Sequence, residues 1–243
     1  VWFFLPANRG SGVFYDVFVL PGGFLGLVIG DVCDIGVGAS FFMALFRILL
    51  RIFSGQARLN RKVVNRSTHT VGGNIQTTAH RRYSQVEAIR AVALTNDYIA
   101  GEHGDMCMFA TLFFGILEPN SGALVYINGG HEPLFVLNEK GVQETLRPTG
   151  PAVGLFAQTE FAYKKLTLQP GDILFGYTDG VLDARSHEGA RFTKKRLVEL
   201  LSKPVDSVLE VMGNVGTDLF AHIGKATQED DVTLLALRRN KSD

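Results

Sequence analysis

An α+β fold with largely antiparallel sheets is predicted by two features of the chain. Short apolar runs follow one another through glycine- and proline-bearing turns, so neighbouring strands reverse direction. The helical stretches come in separate blocks and do not alternate with single strands, which argues against a doubly wound parallel sheet. The 243 residues are 46% hydrophobic and 20% charged, enough for a sizeable core and unlike a disordered chain.

The elements follow in order. Residues 14–20 and 24–29 read as strands joined by Pro21-Gly22-Gly23, a plausible hairpin. Gly30-Asp31 follows at once. Gly36 and Gly38 then open a helix over 37–53, with Gly55 as its stop. Its apolar stretch is broken by Arg47 and Arg51 and falls short of the roughly 20 apolar residues of a membrane span. It therefore reads as a buried amphipathic helix. A second helix is predicted over 86–100, with Val86, Ile89, Ala93 and Leu94 inward. Strands are predicted over 108–117, 124–128, 134–137, 161–168 and 173–177, helices over 196–201 and 205–220, and a closing strand over 232–237. One domain over 1–239 with a polar tail at 240–243 accounts for the pattern. Because the chain starts without Met inside an apolar run, its amino-terminal edge is expected to be truncated.

Charge excludes some functions. Lys+Arg and Asp+Glu both total 24, so nothing draws the whole chain to nucleic acid or an anionic membrane. Residues 55–85 carry Arg58, Arg61, Lys62, Arg66, Arg81 and Arg82 without an acidic residue. This segment reads as a surface loop or insertion, with an anion- or partner-binding arm as the alternative. It has few aromatics to interleave with its charges, so no nucleic-acid partner is expected. Two cysteines, Cys33 and Cys107, make no disulfide framework or zinc motif. Cytoplasmic localisation is the expectation.

Asp31, Asp179 and Asp230 are the candidate metal ligands. Asp31 and Asp179 each end an apolar strand at a glycine turn, and Asp230 and Asp231 stand just before the closing strand. Carboxylates at strand ends are held rigidly and face an edge where distant segments meet. Oxygen donors suit Mg²⁺ and Mn²⁺. A single aspartate in a turn is more often a cap or turn former, so position alone does not decide the matter.

The surrounding text resembles the SpoIIE-like (RsbU-type) serine phosphatase branch of the metal-dependent protein phosphatase 2C family. The resemblance is carried by Leu5-Pro6-Ala7 with Phe14-Tyr15-Asp16, Gly30-Asp31-Val32 with Gly36 and Gly38, and the central block ending in Tyr126 to His131 with Pro133. Pro170-Gly171-Asp172 with Thr178-Asp179-Gly180 and Gln228 with Asp230-Asp231-Val232-Thr233 complete it. It implies an α-β-β-α sandwich and hydrolysis of phosphoserine or phosphothreonine through metal-bound water. Two Mg²⁺ or Mn²⁺ ions are implied. Asp31 would bridge them, the Val32 carbonyl would add an oxygen, and Asp179 and Asp230 would hold the first. Asp231 would shape the site. His131 would serve either as a general acid or as a structural hydrogen-bonder.

Implied partners are a phosphorylated protein of the anti-anti-sigma (STAS) type, an amino-terminal sensor or receiver domain, and a second copy in a homodimer. The pattern departs at Val13, where the family has an aspartate for the second metal, and at Ile35 in the following turn. Asp16 is expected to face the other side of its strand. A catalytically weakened pseudophosphatase that binds phosphoprotein is the alternative reading.

Overall fold

The structure, a computed structural model, describes residues 2–5, 12–33, 36–56, 83–228 and 230–240. One five-stranded sheet has the order β2 (Val13–Leu20), β3 (Phe24–Val32), β4 (Ala110–Leu117), β5 (Ala123–Gly129), β8 (Lys164–Thr167). The other runs β1 (Trp2–Leu5), β10 (Val232–Arg238), β9 (Ile173–Tyr177), β6 (Leu134–Asn138), β7 (Gly141–Leu146). Every strand pair within them is antiparallel.

Three apolar layers stack the molecule as helix, sheet, sheet, helix. Between the sheets, Leu27, Ile29, Phe113 and Tyr126 meet Leu134, Val136, Leu174 and Leu235. Outside the first sheet pack α1 (Val37–Gln56), α2 (Gln85–Ala88) and α3 (Ala91–Glu102). Outside the second pack α4 (Gly180–Asp183), α5 (Lys194–Leu201) and α6 (Val208–Ile223). The α-β-β-α sandwich expected from the sequence is the observed one.

Helix α1 is anchored by both apolar and charged groups. Phe42, Phe46, Leu49 and Leu50 are buried against the sheet; each such side chain contributes roughly 1.5–3 kcal/mol. The arginines that interrupt its apolar run end on β2. Arg51 Nε and Nη2 donate to the two carboxylate oxygens of buried Asp16 at 2.6 and 2.7 Å, and Arg47 Nε stands 3.7 Å from Asp16. By length and composition α1 is apolar enough to cross a membrane, yet one face is built into this core. Its other face exposes Phe41, Ile48 and Ile52, so the helix is half-buried and its apolar surface extends beyond the core stripe.

Several boundaries differ from expectation for physical reasons. The helix expected over 86–100 is two helices, broken at Ile89–Arg90. The break rotates the phase: Leu94 is exposed, while Val92, Thr95, Asn96 and Ile99 are buried. Strand β7 has no counterpart among the predicted strands, because Gln143 and Glu144 face solvent at the sheet edge and give it no apolar alternation. Helix α6 starts at Val208, not 205, because Ser207 Oγ accepts the Glu210 N–H at 3.1 Å. α1 runs through Gln56 and α2 opens at Gln85; the rest of the basic segment apart from Tyr83 and Ser84 lies outside the described residues, as do Ile35 and residues 241–243.

Candidate metal centre

The proposed ligands sit where the two sheets end together. On β3, Leu27 and Ile29 point into the layer between the sheets. Strand alternation puts Asp31, two residues on, at the end of that layer. Asp179 follows β9 and Asp230 precedes β10, and these strands are antiparallel neighbours with Tyr177 opposite Leu234.

The turn joining them is pinned by Thr178. Its N–H donates to the Thr233 carbonyl at 3.1 Å. Its hydroxyl donates to the Asp231 carbonyl at 3.2 Å and accepts the Thr233 N–H at 3.0 Å. Gly180 is required here, since a β-carbon on it would collide with the Asp231 carbonyl oxygen. The Thr-Asp-Gly sequence thus brings Asp179 beside Asp230. Gln228 Nε2 donates to the Asp230 carbonyl at 3.1 Å and fixes the other side.

The electrostatics report the convergence. Burial, together with Asp179, Asp230 and Asp231, pushes the Asp31 carboxyl up to about 8, and a hydrogen bond to Asp179 adds to the effect. Burial and then Asp230 raise the Asp179 carboxyl, while the Gly180 N–H opposes them. Burial chiefly raises Asp230 as well, against the Asp231 N–H that donates to its Oδ1 at 2.8 Å. None of the ion pairs among the described residues reaches these three aspartates.

Three partly buried carboxylates, with no side-chain cation paired to them among the described residues, fit a hard divalent ion in donor type and charge. They do not form a closed cage: among the described residues no three His, Cys, Asp or Glu side chains stand at cation-holding spacing.

Other expected residues fall as follows. Val13 pairs with Asp31 across β2 and β3, and is buried. Asp16 lies on the opposite face of β2 with Phe14 and Phe18, committed to Arg51, so it does not replace a ligand at Val13. The Val32 N–H donates to the Gly12 carbonyl at 3.2 Å, and Val32 pairs with Ala110 on the β4 side. His131 is buried, with Nδ1 3.1 Å from the Thr111 hydroxyl, and Thr111 is the β4 partner of Asp31. Burial pulls its imidazole down to about 4, slightly opposed by the Tyr177 carbonyl; Nε2 makes no well-formed hydrogen bond. Its contact with Thr111 places it one step behind Asp31.

Two acidic neighbours are not among the candidate residues read from the sequence, although Glu132 lies between His131 and Pro133. Asp183 lies one helical turn after Asp179, adds negative charge to both Asp179 and Asp230, and is paired with Arg191 at 2.9 Å. The i, i+4 spacing after the motif is the signal that marks it. Glu132 adds charge near Asp179, accepts the Tyr177 hydroxyl at 3.1 Å and pairs with Lys194 at 3.2 Å. Nothing local in sequence marks it, because its partners lie 45 and 62 residues away.

Known proteins share this architecture. The stage II sporulation protein E (SpoIIE) family matches over residues 21–240. Protein IcfG of Synechocystis sp. is 46% identical over 237 residues, covering 98% of this chain and 37% of IcfG. Phosphoserine phosphatase RsbU of Bacillus subtilis is 22% identical over 238 residues, covering 97% of this chain and 61% of RsbU. The chain thus spans less than two thirds of either relative. The SiaA-PP2C domain of Pseudomonas aeruginosa superposes with a TM-score of 0.72 at 17% identity, covering 98% of this chain and 85% of that one. RsbX in complex with magnesium gives 0.63 at 14% identity, covering 97% and 92%. At such identities the likeness is one of fold. The match over nearly the whole chain and the PP2C-like sandwich lead to one assignment: the chain belongs to the SpoIIE family.

Proposed function

We propose that this chain is a Mg²⁺- or Mn²⁺-dependent protein serine/threonine phosphatase, with Asp31, Asp179 and Asp230 as cation ligands. The observation that carries the reading is the meeting of three carboxylates with no ion pair among the described residues, brought from both sheets to one end of the sandwich. When bound, a divalent cation there activates water and draws charge from a phosphoryl group. The protein's part is positional. Asp31 reaches in from β3, and Asp179 and Asp230 from the β9–β10 end. The Val32 carbonyl is the supplementary oxygen. His131 and Thr111 hold the β4 side of Asp31.

The substrate class is proposed from the family and from the named activity of its relative RsbU, a phosphoserine phosphatase. A phosphorylated anti-anti-sigma-type protein in a partner-switching pathway is the proposed substrate. A sensor or receiver domain, cytoplasmic localisation and homodimerisation belong to the same proposal.

Val13 favours a second reading. Opposite Asp31 it offers no oxygen, so one firmly held ion is proposed in place of two, with slowed turnover or phosphoprotein binding alone as the result. Phosphate release from a phosphoserine protein, with Mn²⁺ and with chelator, tests the first reading. Metal-dependent release supports it. No release at any Mn²⁺ concentration, with retained preference for the phosphorylated partner, supports the second.

A further inference from the structure

The two cysteines of the chain are 74 residues apart in sequence and adjoin in space. Cys33 Sγ lies 3.6 Å from the backbone carbonyl oxygen of Cys107. Both residues are solvent-exposed free thiols, so the contact is not a by-product of core packing and a small oxidant can reach either sulfur. The backbone fixes it: the Cys33 N–H donates to the Phe109 carbonyl at 2.9 Å, and the Phe109 N–H points back at Cys33 Sγ at 3.4 Å. The sulfur is therefore held toward the segment that carries Cys107.

Cys107 closes the short turn Gly104–Met106 with a φ of 51°. That left-handed conformation costs a residue with a β-carbon about 1–3 kcal/mol. Disulfide closure requires the two α-carbons to lie roughly 4.4–6.8 Å apart. One sulfur already lies against the other residue's backbone, and reorienting Cys107 relieves its left-handed strain.

We infer that Cys33 and Cys107 are a hydroperoxide-sensitive thiol pair that closes into an intramolecular disulfide. The Cys33 thiolate attacks one oxygen of the hydroperoxide and the O–O bond breaks. One oxygen leaves, protonated, as alcohol or water, and the other stays on Cys33 as a sulfenic acid. The Cys107 thiolate then attacks that sulfur, the S–O bond breaks, and the hydroxyl departs as water. Two thiols are oxidised as one hydroperoxide is reduced. A dithiol reductant reverses the reaction by exchange.

Cys33 directly follows Asp31 and Val32. The bond therefore ties the end of β3 to the 104–107 turn and shifts the peptide proposed to face the cation. Weaker cation binding in the oxidised chain is the expected consequence. That consequence rests on the proposed metal site; formation of the bond does not.

The test uses the whole chain treated with hydrogen peroxide, followed by thiol titration, intact mass and peptide mapping. The expected result is loss of both thiols and of the mass of two hydrogens in a monomer, a Cys33–Cys107 cross-linked peptide, and reversal by dithiothreitol. In Cys107→Ser a sulfenic acid on Cys33 is expected instead, trapped by dimedone. Both thiols persisting at peroxide levels that modify Cys33 in Cys107→Ser, or disulfides only between chains, would overturn the inference. Mn²⁺ titration of reduced and oxidised chain separates the two claims. Equal affinity overturns the coupling to the metal site. Absence of Mn²⁺ binding in the reduced chain overturns the metal site and leaves the mass result to judge the thiol pair.

Discussion

Val13 and Asp31 face each other across the β2–β3 ladder. The Val32 N–H bonds to Gly12, so the alternation of the antiparallel ladder makes Val13 and Asp31 a non-hydrogen-bonded pair. In such pairs the α-carbons approach to about 4.5 Å and the side chains are closest. An apolar methyl pair thus occupies the position best placed to share a cation with Asp31. Val13→Asp is predicted to raise the number of bound Mn²⁺ ions and the rate of phosphate release. Without cation it adds an unpaired buried charge and lowers stability by about 3–5 kcal/mol, a loss that Mn²⁺ reverses. Thermal melts with and without Mn²⁺, beside a stoichiometry measurement, check this; unchanged stoichiometry would show that Val13 does not limit cation binding.

Gly180 has no room for a side chain. Because a β-carbon there would collide with the Asp231 carbonyl oxygen, Gly180→Ala must push the start of α4 off the β10 turn. The expected cost is about 1–3 kcal/mol, with weaker Mn²⁺ binding because Asp179 and Asp230 move apart. Denaturant unfolding and Mn²⁺ titration of the variant measure both; wild-type values in each would contradict the packing described.

The Asp16–Arg51 pair is a structural clamp distant from the chemistry. Arg51→Ala leaves Asp16 buried with only a longer contact to Arg47. Because Arg51 is itself half-exposed, the loss is expected near the charged hydrogen-bond range, about 1.5–3 kcal/mol. Metal affinity should be retained. A melt that does not shift, or loss of Mn²⁺ binding in a variant that still folds, would show that the clamp has been misassigned.

His131 predicts a pH dependence. Its folded value, about 4, lies below the ordinary 6.5. As pH falls below 6.5 the unfolded chain takes up a proton before the folded chain does. The stability is therefore complete above pH 6.5 and is lost as pH falls toward 4, by roughly 3 kcal/mol. The raised aspartates act in the opposite direction, so the comparison needed is wild type against His131→Asn across the same range. A flatter acid limb in the variant is expected; parallel curves would contradict burial of a neutral imidazole.

Much of this is legible in the sequence because it is local. A strand, a glycine turn and an aspartate lie within a few residues at Asp31 and at Asp179, and the structure keeps both at strand ends. What the sequence conceals depends on distant partners. Asn96 is polar, and nothing near it in sequence marks it as buried. It is buried because its amide donates to the Phe156 carbonyl at 2.8 Å and its Oδ1 accepts the Gly154 N–H at 2.8 Å. Glu132 is hidden for the same reason, and the contact between Cys33 and Cys107 exists only once β3 and the turn before β4 are brought together.

Joint binding of a divalent cation by Asp31, Asp179 and Asp230 is the claim on which the rest depends. Calorimetric titration of Mn²⁺ into the wild-type chain and into Asp179→Asn tests it directly. Saturable binding is predicted in the wild type, abolished or weakened by about 10-fold or more in the variant, with the variant's fold intact by circular dichroism. Equal Mn²⁺ binding by the two proteins, or none by the wild type, would contradict it.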